Sequence, residues 1–203
     1  MPPIPRPAAA RYRGWVLIPE TVRATVLGRI RLMERTERAI VMCASVIGRR
    51  FEVAVLTEAA ACDEAPVRAA LERACALQLI VADDSPEWFA FRHALTRDVI
   101  YAELVNAPIR PMHRRIARAL ERSPMIDQPL EDLAYHAWAG GDLHRALRYN
   151  ELAGDRAAAV HATADAQTYY ARARGLFPVD SDAYARLTGK MDALGEAEHA
   201  SPR

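Results

Sequence analysis

Few residues in this chain have the types and spacing that enzyme chemistry requires. A P-loop needs a glycine five positions before its Gly-Lys pair, so that backbone N–H groups surround the phosphates, and a Ser or Thr next for magnesium. Gly189 and Lys190 form the only such pair, but Tyr184 stands at that position and Met191 follows. The histidines are scattered, and no His-Glu-x-x-His or Gly-x-Ser-x-Gly motif occurs. The sequence therefore predicts no catalytic residues, no metal site and no cofactor held by this chain, and we expect that it is not an enzyme.

Arginines are the residues best placed for binding. Five arginines form one group, in which four members follow one another at intervals of four residues. They are Arg110, Arg114, Arg115, Arg118 and Arg122. This spacing lines guanidinium groups along one face of a helix. Arg49 and Arg50 form a second basic pair. For Arg49 and Arg50, the interpretations that stay open are a solvated loop, or contact with a phosphate or an acidic partner surface. For the helix row they are a solvated face with acids supplied by neighbouring helices, or contact with an acidic protein partner or a nucleotide-binding domain.

Composition argues against binding to polyanions and membranes. The 203 residues carry 27 Lys and Arg against 26 Asp and Glu, a net charge of +1, so no global field attracts nucleic acid. Cys43, Cys62 and Cys75 form no Cys-x-x-Cys pair and lie among apolar residues, which indicates buried thiols in a reducing compartment. No apolar run has the length of a signal peptide or a membrane span. We expect a cytoplasmic protein.

Residues 18–105 have the element order of a winged helix. Prolines near the N-terminus make residues 1–17 a disordered lead or linker. Apolar residues then recur at helical spacing over 21–33, 36–47, 53–60 and 63–77. Two short β-rich runs follow at 79–82 and 88–91, separated by turn-forming residues. Successive helices ending in a small β-hairpin predict a winged-helix-like domain.

Residues 106–195 predict a mainly α-helical array of antiparallel hairpins. Gly140 and Gly141 end one helix, and Asp142 is placed to cap the next. An alanine-rich stretch over 155–176 is expected to form one long helix, with a weaker helix near 181–195. Small and aromatic residues alternate here as in tetratricopeptide (TPR)-like repeats, which need small side chains where helices approach closely. Residues 196–203 are expected to form a frayed tail.

An ordered series of motifs resembles one family. The chain contains IPETVR at 18–23, ASVIGRRF at 44–51, FRHAL at 91–95 and LAYH at 133–136. In this order they resemble the predicted-ATPase region of large LuxR-type transcriptional regulators and adenylate-cyclase-associated ATPases. These proteins are similar to the STAND class, in which a P-loop domain precedes a winged helix and helical repeats. The resemblance implies a switch component that meets ATP or ADP only through a separate P-loop domain, in cis or in trans.

The same resemblance draws attention to His93, with Arg92 beside it. Related STAND proteins carry a histidine at the end of the winged helix that reads the nucleotide diphosphate, so the resemblance implies that His93 is a nucleotide-sensor candidate. Imidazole titrates near neutrality and suits a helix N-terminus that faces an anion. The alternative is a histidine that caps or packs between hairpin and helix, and Arg92 either adds a contact or lies in solvent.

These observations favour a non-catalytic regulatory or interaction module of a STAND-like regulator. The alternative is a DNA-binding winged-helix regulator, although the helix over 63–77 offers Arg68 and Arg73 with acids and alanines and no Asn, Gln, Ser or Thr for base edges. A third hypothesis is a small-ligand sensor with a pocket inside the helical array.

Overall fold

The structure is a computed structural model that describes residues 18–83, 85–104, 109–123 and 130–200. The lead or linker predicted at 1–17 lies outside the described residues. The chain divides into two compact units, Met1–Pro124 and Met125–Arg203, which are described separately. The prediction of a mainly α-helical chain with a small β-sheet is confirmed. None of the described helices is long and apolar enough to cross a membrane.

The first unit contains six helices and three short strands in its described part. In chain order they are α1 (Glu20–Arg31), α2 (Arg35–Ile47), β1 (Arg50–Glu52), α3 (Val53–Ala60), α4 (Glu64–Ala76), β2 (Ile80–Ala82), β3 (Trp88–Phe91), α5 (Ala94–Ala102) and α6 (Ile109–Arg122).

Helix α2 is the central helix of this unit, since it packs against α3, α4, α5 and α6. Its first turn is fixed by a reciprocal capping box between Glu34 and Glu37, which satisfies backbone donors at the helix start. Most of its remaining residues are apolar and buried. Burial of this helix on several sides explains why its apolar set is wider than a single stripe.

The sheet has the strand order β1-β3-β2 and is antiparallel throughout. Strands β2 and β3 form the predicted hairpin, with Val81 opposite Ala90. Strand β1 was not predicted, because residues 49–50 were interpreted as a loop. Phe51 pairs with Phe89 across the ladder, and its buried ring lies 5.8 Å from that of Phe91. A single buried aromatic residue thus anchors a strand too short to show a periodic pattern.

Helix α6 belongs to the first unit, whereas the sequence placed it at the start of the helical repeats. It packs against α3 and, less extensively, α2. Its inner residues Ile116 and Ala117 are fully buried. At its end, the Ser123 hydroxyl donates to the Glu52 carboxylate over 3.0 Å. The boundary between the compact units therefore falls at residue 124 rather than 105.

The second unit contains four helices in its described part: α7 (Leu130–Gly140), α8 (Leu143–Ala159), α9 (Thr163–Arg174) and α10 (Asp182–Ala200). Asp142 is the predicted N-cap of α8, and its carboxylate accepts the Arg145 N–H over 3.2 Å. The single helix expected over 155–176 is wrong, because the chain turns at 160–162, where His161 is left-handed with a φ of 57°. Helix α10 continues to Ala200, into the segment expected to be frayed.

Small residues let the helices of the second unit approach closely. The described core combines buried alanines with the buried rings of Tyr149 and Tyr170. A Cβ atom at Gly154 would lie only 2.4 Å from the Tyr170 ring, so α8 and α9 meet at a position where only glycine fits. Asn150 is fully buried and its side-chain amide donates to the carbonyls of Ala134 and Ala146, both over 2.9 Å. This amide links α7 to α8.

Candidate functional site

The structure brings three of the predicted binding residues to one end of the small sheet. Arg92 and His93 directly follow β3, and His93 is the N-cap residue of α5. Arg49 precedes β1, and its carbonyl accepts the Phe91 N–H over 2.8 Å, which places it beside the end of β3. All three residues are exposed, and none of their side chains has a hydrogen bond or ion pair within the described part of the chain. We call Arg49, Arg92 and His93 the sheet-end cluster.

The backbone around His93 adds to this positive surface. The His93 carbonyl accepts the N–H groups of Thr96 and Arg97, which starts α5. The His93 side chain makes no capping bond, so the ring is not used to hold the helix. The N-terminus of a helix carries partial positive charge and favours anions. Two exposed arginines and an exposed histidine thus lie near a helix start at one end of the sheet.

Arg50, in contrast, holds the sheet together. Its guanidinium lies 4.1 Å from the centre of the Trp88 ring, and its Nε donates to the Asp83 carboxylate over 2.5 Å. The stacking contact is worth about 0.5–1 kcal/mol at an exposed site. Arg50 thus joins β1 to the hairpin, and the partner-binding role considered for it has an intramolecular alternative.

The arginines of α6 divide into two sets. Arg115 donates through Nε to the Ala59 carbonyl over 2.8 Å, and Arg122 forms an ion pair with Glu58, so both fasten α6 to α3. Arg114 and Arg118 are exposed, whereas Arg110 is half-buried. The spacing of four residues correctly predicted that these arginines share one helix. Two of them, Arg115 and Arg122, contact α3.

Helix α4, which would have to read DNA in the alternative function, has its arginines engaged within the chain. Arg68 bonds to Glu64 over 2.5 Å and to both oxygens of the Glu87 carboxylate over 2.9 and 3.0 Å. Arg73 donates to the Leu32 carbonyl over 3.4 Å. Phosphate contacts by Arg68 would have to displace two carboxylates.

A buried polar group between α2, α5 and α6 was missed by the sequence. Arg97 is only 4% exposed, and its Nε donates to the Ser45 carbonyl over 2.7 Å. His113 is fully buried, and this burial, with a smaller effect of the Arg97 charge, lowers the pKa of its imidazole to about 4. Isolated polar residues in a helical pattern are usually solvated, so the sequence carried no signal for this group.

The surroundings of the three cysteines disfavour the thiolate form. Burial raises the pKa of the Cys43 thiol to about 12, and burial also raises the pKa of Cys62 and Cys75, which are only partly buried. High thiol pKa values disfavour the nucleophilic thiolate. The described residues contain no group of three or more His, Cys, Asp or Glu side chains arranged to hold a metal ion.

An aromatic cluster in the second unit bears on the small-ligand hypothesis. The guanidinium of Arg172 lies 5.5 Å from the ring centre of Trp138, 5.7 Å from Tyr169 and 5.9 Å from Tyr135. Burial among these rings lowers the pKa of Arg172. The aromatic faces are therefore occupied by a side chain of the protein itself.

Comparison of the chain with protein-family models, curated proteins and solved structures finds no match.

Proposed function

We propose that this chain is a non-catalytic regulatory module of a STAND-like, ATP-dependent signalling or transcriptional regulator. In this proposal, residues 18–105 contain a winged helix, and the four helices of the second unit, α7 to α10, form TPR-like hairpins. The module transmits the nucleotide state of a P-loop domain, in cis or in trans, through protein contacts. The exposed sheet-end cluster is the observation that carries the proposal.

The element order supports the winged-helix part. A helix, a strand, two helices and a hairpin follow one another in α2, β1, α3, α4, β2 and β3, and the first strand pairs with the last. This order supports the proposed winged helix. His93 follows the hairpin directly, which is consistent with its proposed correspondence to the histidine of the resembled family.

The short connections of the second unit support the TPR-like part. Residues 141–142 join α7 to α8 and residues 160–162 join α8 to α9, and each helix packs mainly against the next along the chain. Loops of two to five residues between packed helices are typical of helical hairpins. Repeat proteins have this pattern of nearest-neighbour contacts.

The chemistry of the sheet-end cluster suits a diphosphate held by a neighbouring domain. Guanidinium groups bind phosphate oxygens in a bidentate manner, and an imidazole N–H at a helix start adds a further donor. Arg49, Arg92 and His93 stay exposed and available for such contacts. They would act by favouring the closed, ADP-bound arrangement of the two domains.

The test is to join this chain to a P-loop domain of a STAND protein and to measure ADP affinity by isothermal titration calorimetry. Loss of one charge-assisted hydrogen bond costs about 1.5–3 kcal/mol, so we expect His93→Ala to weaken ADP binding by about tenfold or more. His144→Ala, which removes an exposed histidine from α8, is the matched control. Equal ADP affinities for wild type and His93→Ala would remove the sensor role.

A further inference from the structure

A groove between α1 and α2 exposes apolar surface in the first unit. It has a volume of about 390 Å³, and its floor includes Leu27, Ile30 and Met42. Ile30 is buried, whereas Leu27 and Met42 are half-buried, and Ala39 on the same lining is exposed. Two helices thus leave part of their apolar faces in contact with solvent rather than with each other.

Three arginines line the same groove. Arg31 and Arg35 are exposed and Arg38 is half-buried. None of the three guanidinium groups has a hydrogen bond or ion pair within the described part of the chain. Arg29 and Arg73 differ in this respect, since they donate to the carbonyls of Gln78 and Leu32.

The nearest acidic residues do not neutralise these arginines. Glu103 lines the groove, but its carboxylate pairs with Arg23 over 3.0 Å. Glu34 and Glu37 belong to the capping box at the start of α2, where the Glu37 carboxylate accepts the Glu34 N–H over 2.8 Å. The groove therefore carries a net positive charge although the whole chain is nearly neutral.

We propose that this groove binds an acidic amphipathic helix of a partner protein. An apolar side chain of that helix would cover the Leu27–Ile30–Met42 floor, and carboxylates beside it would pair with Arg31 and Arg35. Amphipathic helices bind grooves in this manner, and guanidinium groups match carboxylates in geometry. A simple inorganic anion would leave the apolar floor exposed.

Charge also argues against residues 1–17 of the same chain as the ligand of this groove. Residues 1–17 carry three arginines and no acidic residue, so they would meet like charges in the groove. The proposal goes beyond the nucleotide-dependent function and is independent of it, because the groove uses none of the residues of the sheet-end cluster.

The experiment is fluorescence anisotropy on the full chain with a short fluorescein-labelled helical peptide whose leucine face is flanked by glutamates. A second peptide has glutamine at every glutamate position. The test variant is Arg31→Gln/Arg35→Gln/Arg38→Gln. The matched control, Arg148→Gln/Arg156→Gln/Arg186→Gln, removes the same charge from exposed arginines of the second unit. Circular dichroism checks that both variants fold.

We expect the glutamate peptide to bind wild type and the control alike, and the test variant about tenfold more weakly, because each exposed ion pair contributes a fraction of a kcal/mol. The glutamine peptide should also bind weakly, and Ala39→Glu should abolish binding. Failure of the glutamate peptide to bind wild type would overturn the proposal. Equal loss of peptide binding in the test and control variants would also overturn it. So would the finding that wild type is a dimer and that only the test substitutions make it monomeric.

Discussion

Protonation of the buried imidazole of His113 should make the stability of the first unit depend on pH. Burial, followed by the nearby Arg97 charge, lowers the pKa of His113 from 6.5 to about 4 in the folded chain. Between these values the unfolded chain binds a proton at this residue and the folded chain does not. His113 therefore contributes stability that is fully present above pH 6.5 and is lost as the pH falls from 6.5 towards 4.

The size of the effect follows from the two pKa values. Their difference is 6.5 − 4 = 2.5, and each unit corresponds to about 1.4 kcal/mol. The free energy of unfolding should thus fall by about 3–4 kcal/mol over this window because of His113 alone. This loss is a large part of the 5–15 kcal/mol that is typical of a domain.

Urea denaturation followed by circular dichroism at several pH values between 7.5 and 4 measures this contribution. His113→Gln keeps a polar side chain of similar size but cannot take up the proton, so we expect a shallower fall in stability than in wild type. His93→Gln, which removes an exposed histidine from the same unit, should retain the wild-type slope. The Asp and Glu residues are the same in all three proteins, so their contribution to the pH dependence cancels in the comparison. Parallel curves for wild type and His113→Gln would refute the reasoning.

Three further predictions concern packing and activity. Leu71→Ala removes a fully buried side chain of α4 and should cost about 2–5 kcal/mol in chemical denaturation, and a loss below about 0.5 kcal/mol would contradict the packing described here. Gly154→Ala places a Cβ atom 2.4 Å from the Tyr170 ring and should cost about 1–3 kcal/mol, with part of the loss recovered by Tyr170→Leu, and an unchanged midpoint would argue against the close approach. The purified chain should hydrolyse neither ATP nor GTP in a phosphate-release assay, and turnover that a point substitution in this chain abolishes would overturn the expectation.

The sequence predicted most helices because their apolar residues recur at helical spacing, and it missed the features that depend on distant contacts. Strand β1 has only one buried residue, Phe51, and exists because β3 offers it a free edge. The turn at 160–162 has neither glycine nor proline, so the left-handed His161 gave no signal. Both errors arise where tertiary packing overrides local preference.

The arginines of α6 illustrate the same limit for the candidate site. Their spacing correctly places them on one helix, but the sequence does not reveal that α3 covers part of that helix. Arg115 and Arg122 consequently hold α6 in place, while Arg114 and Arg118 stay exposed. Periodicity identifies a helix face, and only the fold decides which neighbour that face meets.

The net charge of the chain is close to zero, but some arginines pair with carboxylates of the chain and others do not. Arg50 pairs with Asp83, and Arg68 pairs with Glu64 and Glu87. Among the residues that the structure describes, the guanidinium groups of the sheet-end cluster and of the α1–α2 groove have no such carboxylate partners. Since exposed charges act over about 8–10 Å at physiological ionic strength, each of these surfaces presents a positive field to a partner that docks on it. A chain whose net charge is close to zero can therefore still carry local positive surfaces at defined places.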